Sequence, residues 1–222
     1  MAHLFLLERI MKIDLKVSQL VVSRICHDLA GSVSAVNAGV ELINDNVAAI
    51  DLEAMALIDA SANQSVRKLS FFRVVFGAGG GVDGSISPDE LHDLARNFVE
   101  GSKITISWPE HSDIGRLTLN EGKVLLGLIL IAFDALPRGG VISPSVHNPE
   151  GATGFAVVAK GERAALAPEV RAALDPNINI DDLSPRTVHA YFTNMFVKHL
   201  GGEMECTGET PDEIHLAAIT PK

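Results

Sequence analysis

The residues of this sequence best suited to chemistry are His27 and Asp28, in the stretch "RICHDLAGS" from Arg24 to Ser32. An imidazole changes charge near neutral pH and can act as nucleophile, base or acid. A neighbouring carboxylate can favour one ring tautomer or take the other ring proton. Periodicity shows how the pair is held. Val22, Ile25, Leu29, Val33, Val36, Val40 and Ile43 recur at spacings of three and four, which predicts a long amphipathic helix with these residues facing its packing partner. Helical residues advance about 100° per position, so His27, two residues from both Ile25 and Leu29, points away from that seam and into solvent. Ser23 and Arg24 lie on the same face one turn before, Ala30 and Gly31 one turn after, and Ser34 a turn further on. Glycine and serine on an exposed helix cost helix propensity and fill no core. That composition fits a face that another protein must approach closely around the imidazole. A packing groove for the second half of the chain would use the same small residues.

The elements around this helix follow from the same pattern. Met55, Ile58, Ala62, Val66, Leu69, Phe72 and Phe76 predict a second long helix, joined to the first by the polar turn "NDNVAAID" (Asn44 to Asp51). Two helices alone bury only one face each and are under-stabilised. Pairing two such hairpins into a four-helix bundle removes the deficit, which predicts a homodimer. The run "GAGGGVDG" (Gly77 to Gly84) follows a helix rather than a strand and opens no helix, so it reads as a linker and not as a dinucleotide loop. The predicted organisation is a helical dimerisation domain over 1–78, a linker over 79–84 and a second domain over 85–222.

In that second domain Ser87, Pro88 and Glu90 cap a helix running to about Val99. "KITISW" and "RLTL" read as strands, and "EGKVLLGLILIAFDAL" (Glu121 to Leu136) as a strongly apolar helix. "GVISPSVH" and "TGFAVVAK" are strands, and residues 161–174 hold one or two short helices. A helix capped by Ser184 ends at Gly201, and "EMECTG" and "EIHLAAI" close the chain as a hairpin. The fold class is α+β: an antiparallel helical hairpin followed by an α/β sandwich with its helices on one face of the sheet.

Composition narrows the function. The formal net charge of −10 argues against nucleic acid or an anionic membrane as partner. Residues 1–78 hold 7 basic and 8 acidic side chains and residues 79–222 hold 11 and 20, so the second half, at −9, is a poor place for a bound polyphosphate. No run is long and apolar enough to span a membrane, and "MAHLFLLERIMKIDLK" lacks the basic leader and cleavage site of a signal peptide. Cys26 and Cys206 stand in no ligand-type spacing; they read as buried or interface thiols of a cytoplasmic protein. The histidines at 3, 92, 111, 147, 189, 199 and 215 form no metal-type spacing and read as surface or interface residues.

"CHDLAGSVSAVNAGVELI" (Cys26 to Ile43) resembles the phosphoacceptor helix of the ChpT-type histidine phosphotransferases, relatives of sensor histidine kinases. The likeness is carried by His27-Asp28-Leu29, Asn37, Gly39, Glu41 and Leu42. "ALPRGG" (Ala135 to Gly140) and the order of hairpin, linker and second domain resemble the family too. Kinases carry proline five residues after the histidine; Ser32 stands there instead, which implies a straighter helix. The second domain looks like a kinase ATP-binding domain stripped of its ligands. "GLILIA" puts Gly127 and Ile131 where such a kinase has asparagines, and "AKGER" puts Ala159 in its aspartate position and keeps only Gly161. "DDLSPRT" (Asp181 to Thr187) replaces a glycine-rich box. An apolar side chain cannot hold a metal ion.

The resemblance implies a phosphorelay intermediate without kinase activity of its own. His27 would accept a phosphoryl group from the aspartate of one receiver domain and pass it to another, including the receiver of a hybrid histidine kinase. Asp28 would orient the ring or take its proton. Arg24 would either contact the phosphoryl group or form a surface ion pair. Ser23, Ala30, Gly31 and Ser34 would border the docked receiver, and Asn37, nearly three turns away, would serve docking or packing. No cofactor of its own is implied, and the magnesium ion would sit in the receiver. The rivals are a divergent histidine kinase that still uses ATP and a non-catalytic dimeric scaffold or inhibitor of a receiver or kinase.

Overall fold

The computed structural model describes residues 14–45, 52–77, 84–109 and 116–222. Most of the predicted turn (46–51), most of the glycine run (78–83), His3 and His111 lie outside these. Helix α1 (Leu15–Asp45) runs unbroken past Ser32 and packs antiparallel on α2 (Leu52–Val75). The seam between them differs from the one the large apolar residues predict. It is built from Val17, Val21, Ser32 and Gly39 on α1 and Ala54, Ser61, Phe72 and Val75 on α2, all buried. The Ser65 hydroxyl donates to Ser32 Oγ across it at 2.8 Å. A Cβ on Gly39 would stand 2.6 Å from the Ile58 side chain, so glycine is what permits the close approach there. Val22, Val33, Val40, Ile43, Met55, Val66 and Leu69 are instead exposed. The two stripes share one period and lie about a quarter-turn apart on α1, which is why spacing alone did not separate them.

The second half is a two-layer sandwich. Strands β1 (Ser85–Ile86) and β3 (Leu117–Thr118) form a small antiparallel pair. The main sheet has the order β2-β4-β5-β7-β6, from β2 (Ile104–Ile106), β4 (Gly140–His147), β5 (Ala152–Lys160), β6 (Glu203–Thr210) and β7 (Glu213–Pro221). Only β2 and β4 are parallel; the other neighbours are antiparallel. Alternate residues of β5 and β7, such as Phe155, Val157, Leu216 and Ala218, face the core, as a half-covered sheet requires. Helices α3 (Pro88–Val99), α4 (Leu119–Asp134) and α6 (Val188–His199) supply the other layer, with a short α5 (Pro168–Ala172) in the connection before α6. Helix α4 opens with a capping box of Thr118 and Glu121 and is buried on nearly every side from Val124 to Ala132, so it is the centre of the domain. Helix α6 starts at Val188, one turn later than Ser184 predicts. The Thr187 N–H donates to the Ser184 carbonyl at 3.1 Å and the Ser184 N–H to Thr187 Oγ1 at 2.9 Å, so residues 184–187 form a turn of their own. Among the described residues no helix is long and apolar enough to cross a membrane.

One apolar core runs through both halves. Val17, Val21, Phe71, Phe72 and Val75 of the hairpin belong to the same buried cluster as Phe98, Leu128 and Val188. The Phe71 and Phe98 rings stack with centroids 4.0 Å apart, and Phe76 meets Phe192 edge-on at 5.3 Å. Lys123 Nζ donates to the Gly77 carbonyl at 2.6 Å, tying the end of the hairpin to α4.

The polar centre of this junction is His189, fully buried rather than on a surface. Its Nδ1 lies 3.4 Å from Arg24 Nη1, which can only donate, so the ring proton belongs on Nε2, 3.4 Å from Asp134 Oδ2. Burial, aided by the Arg24 charge, pushes the His189 pKa down from 6.5 to about 3 and keeps the ring neutral. Between those two values the unfolded chain binds a proton that the folded chain refuses. The His189 contribution to stability is therefore whole above pH 6.5 and is lost as pH falls toward 3, at up to about 1.4 kcal/mol per pH unit. Urea titrations across this range should give a shallower acid slope for His189→Asn than for wild type; equal slopes would show that the ring titrates normally in the native state.

Candidate functional site

Helix α1 presents three faces. One meets α2 and the second domain, one carries the exposed apolar stripe, and the third holds His27. The imidazole is 77% exposed. Ser23, Ala30, Gly31 and Ser34 are exposed around it, as their helical positions predict. A Cβ on Gly31 would meet nothing within 4 Å, so the surface beside the ring is open. Asn37 is exposed too and donates to Glu41 Oε1 at 2.7 Å, three turns from the ring.

His27 is held from one side only. Its Nδ1 lies 3.1 Å from Asp28 Oδ1, and the other carboxylate oxygen accepts from Arg24 Nε at 2.6 Å. Lys68 Nζ, from α2, donates to the Asp28 carbonyl at 2.8 Å. Because the Asp28 carboxylate is an acceptor, the arrangement favours a proton on Nδ1. Nε2 is then left with its lone pair at the open end of the ring. The site can therefore present an oriented nitrogen nucleophile to a group arriving from solvent.

Arg24 does not lie where the sequence reading put it. It is buried, 8% exposed, and faces the second domain instead of the His27 surface. Its Nη2 reaches Asp134 at 2.9 Å, and its Nη1 lies 3.4 Å from both the Arg186 carbonyl and His189 Nδ1. With Asp28 taking Nε, the guanidinium has neither a free edge for a phosphoryl group nor the exposure of a surface ion pair. The reason is angular: three residues back from His27 the helix has turned by about 60° in net direction, far enough for α4 and α6 to cover it. Two carboxylates raise the Arg24 pKa against the opposing and largest effect, burial. Burial likewise raises the Asp134 carboxyl, against the pull of Arg24. Cys26, expected to be a buried or interface thiol, is exposed on this chain, and Cys206 is half-buried.

Asp134 and His189 were not singled out from sequence. A signal was present for Asp134: it is the one charge near the end of the otherwise apolar run from Val124 to Leu136, and a carboxylate on so buried a helix needs a partner. No comparable signal marked His189, whose partner is remote in sequence.

The positions that the family resemblance matches to a kinase's nucleotide ligands, Gly127, Ile131 and Ala159, lie inside the domain. Ile131 and Ala159 are fully buried, and a Cβ on Gly127 would stand 2.6 Å from Thr193 Oγ1 of α6. These positions are packed into the domain core. A cleft of about 720 Å³ lies between the start of α4 and the end of β7, lined by Arg116, Glu121, Asn148, His199, Leu200 and Lys222 among others.

Comparison with known proteins agrees with this geometry. The family profile described as "Histidine phosphotransferase C-terminal domain" matches residues 88–211, more than half of the chain. The protein phosphotransferase ChpT of Brucella abortus (strain 2308) is 29% identical over 206 residues, spanning 91% of this chain and 95% of that protein. A solved bacterial phosphotransferase superposes with a TM-score of 0.78 at 26% identity, covering 95% of this chain and 98% of that one. The Acinetobacter baumannii histidine kinase AdeS, 11% identical with a TM-score of 0.51, covers 88% of this chain and 97% of its own and shares the fold. Domain match, full-length relative and architecture agree, and the chain belongs to the histidine phosphotransferase family, as a phosphotransferase of a phosphorelay.

Proposed function

We propose that His27 is the residue that carries the phosphoryl group, accepting it from the aspartyl phosphate of one receiver domain and returning it to the aspartate of another. One observation carries the reading: His27 is an exposed imidazole whose Nδ1 is already engaged by a carboxylate, on a face bordered by short side chains. The neutral ring attacks phosphorus in line through Nε2. The nitrogen–phosphorus bond forms as the bond from phosphorus to the aspartyl oxygen breaks, leaving a carboxylate on the receiver and a phosphoimidazolium whose Nδ1–H faces Asp28. The second transfer is the reverse of the first. Asp28 orients the ring and offsets its positive charge, while Ser23, Ala30, Gly31 and Ser34 leave room for the docked receiver. In this reading the divalent ion that neutralises phosphoryl oxygens belongs to the receiver's acidic pocket. This chain needs no cofactor, works in the cytoplasm and meets neither nucleic acid nor membrane; one of its receivers is that of a hybrid histidine kinase.

The same reading makes the protein a homodimer. The exposed stripe of Val22, Val33, Val40, Met55, Val66 and Leu69 lies on both helices of the hairpin and opens into an apolar groove of about 510 Å³ beside Ile25 and Phe76. It lies about a quarter-turn from the intramolecular seam, the spacing of two neighbours in a four-helix bundle, and leaves His27 on the outer face.

The transfer reading is tested by incubating the purified protein first with magnesium-ATP alone and then with a phosphorylated receiver. Acid-labile label should appear only in the second case and only on wild type, with His27→Ala unlabelled. Label from ATP alone would establish the kinase alternative, and identical behaviour of wild type and His27→Ala would establish the scaffold. For the assembly, sedimentation should give a dimer at micromolar concentration and a folded monomer for Val33→Glu combined with Leu69→Glu. A wild-type monomer would remove the bundle.

A further inference from the structure

The second domain is packed against the helix that carries His27 through charged and polar side chains. We propose that Asp134, at the end of α4, is a positioning residue for phosphoryl transfer: through Arg24 it holds the Asp28 carboxylate in place and thereby sets the orientation and tautomer of His27. The proposal rests on the reading of His27 as phosphoacceptor and adds a role for the domain behind it.

The geometry is a continuous chain of contacts. From His27 Nδ1 to Asp28 Oδ1 is 3.1 Å, from Asp28 Oδ2 to Arg24 Nε 2.6 Å, and from Arg24 Nη2 to the two Asp134 oxygens 3.1 and 2.9 Å. The remaining Arg24 nitrogen, Nη1, faces the Arg186 carbonyl and His189 Nδ1, each at 3.4 Å. A guanidinium is a rigid planar fork, so fixing Nη1 and Nη2 from the second domain fixes where Nε points. Nε in turn selects which Asp28 oxygen is left for the imidazole. Lys68 holds the Asp28 main chain from the opposite helix, so the side chain is the part that Arg24 must control.

Each member of the chain is suited to this use. The Arg24 side chain is 9% exposed and that of Asp28 18%, whereas His27 at the end of the chain is 77% exposed. The network is shielded where it orients and open where it reacts. His189, kept neutral, gives Arg24 an acceptor without adding a charge. A buried arginine needs its charge balanced, and Asp134 supplies this from outside the hairpin. Without Asp134, the guanidinium is drawn wholly to Asp28, which then becomes a poorer acceptor for the ring N–H. The relation of α1 to α4 is thereby written into the state of the imidazole.

The test uses the full-length protein and two readouts. Nitrogen-15 NMR of the unphosphorylated protein, at a pH where the ring is neutral, reports the His27 tautomer; label transfer from a phosphorylated receiver reports the rate. Wild type should show the Nδ1–H tautomer. Asp134→Asn, and separately Arg24→Lys, which keeps charge but loses the fork, should give a tautomer mixture and a transfer rate reduced roughly tenfold. Asp134→Glu should recover much of both. In an Asp28→Asn background Asp134→Asn should cost nothing further, because the chain is already cut. An unaltered tautomer in folded Asp134→Asn would overturn the proposal, whatever the rate, as would a loss that adds fully to that of Asp28→Asn. If Asp134→Asn fails to fold, Arg24→Lys decides by the same criteria. A wild-type protein that takes no phosphoryl group would defeat the underlying reading instead, and the tautomer measurement would still show whether Asp134 controls the ring.

Discussion

The structure turns on a single buried cation. Arg24 lies between Asp28 of its own helix and Asp134 of α4, with His189 and the Arg186 carbonyl completing its surroundings. Desolvating a guanidinium is costly, and only well-placed acceptors offset that cost. Here the acceptors come from three separate stretches of chain. Hairpin and second domain cannot shift against each other without stranding charge. The apolar packing of Phe71 and Phe72 on Phe98 gives the junction its burial, and the Arg24 network gives it a register.

From that register follows the division of labour on α1. The helix has one buried face against α2 and the second domain, one apolar face left open, and one face where His27 stands among short side chains. Toward the turn the inner seam narrows to Ser32, Gly39, Ala54 and Ser61, which let the helices come close, while Val17, Val21, Phe72 and Val75 fill it at the other end. The apolar stripe and the histidine face are thus both exposed, on different sides of the helix. In the second domain Thr193 packs against Gly127, and Ile131 and Ala159 sit in the core, so the domain forms a packed backing for α1.

Much of this was legible in the sequence. The α+β class, most element positions and the outward direction of His27 followed from periodicity and capping residues. Which stripe of α1 formed the inner seam did not, because two stripes share one period, and the close approach that Gly39 and Ser32 permit is not visible in spacing. The role of Arg24 was misread for a related reason: helical angle gives direction, but what covers that direction comes from α4 and α6, more than a hundred residues away in the chain. Asp134 and His189 were hidden by the same distance. Ser184, a sound cap by type, is followed by a separate turn in which the Thr187 N–H bonds the Ser184 carbonyl, and the helix begins only at Val188.

The central claim is that Asp28, held by Arg24, keeps Nδ1 of His27 engaged and leaves Nε2 to react. Phosphorus-31 NMR of the 15N-histidine-labelled protein, after transfer from a phosphorylated receiver, identifies the nitrogen that bears the phosphoryl group. The account requires phosphorus coupled to Nε2 of His27, with the Nδ1 proton still present. Phosphorus on Nδ1, or on any other histidine, would contradict it.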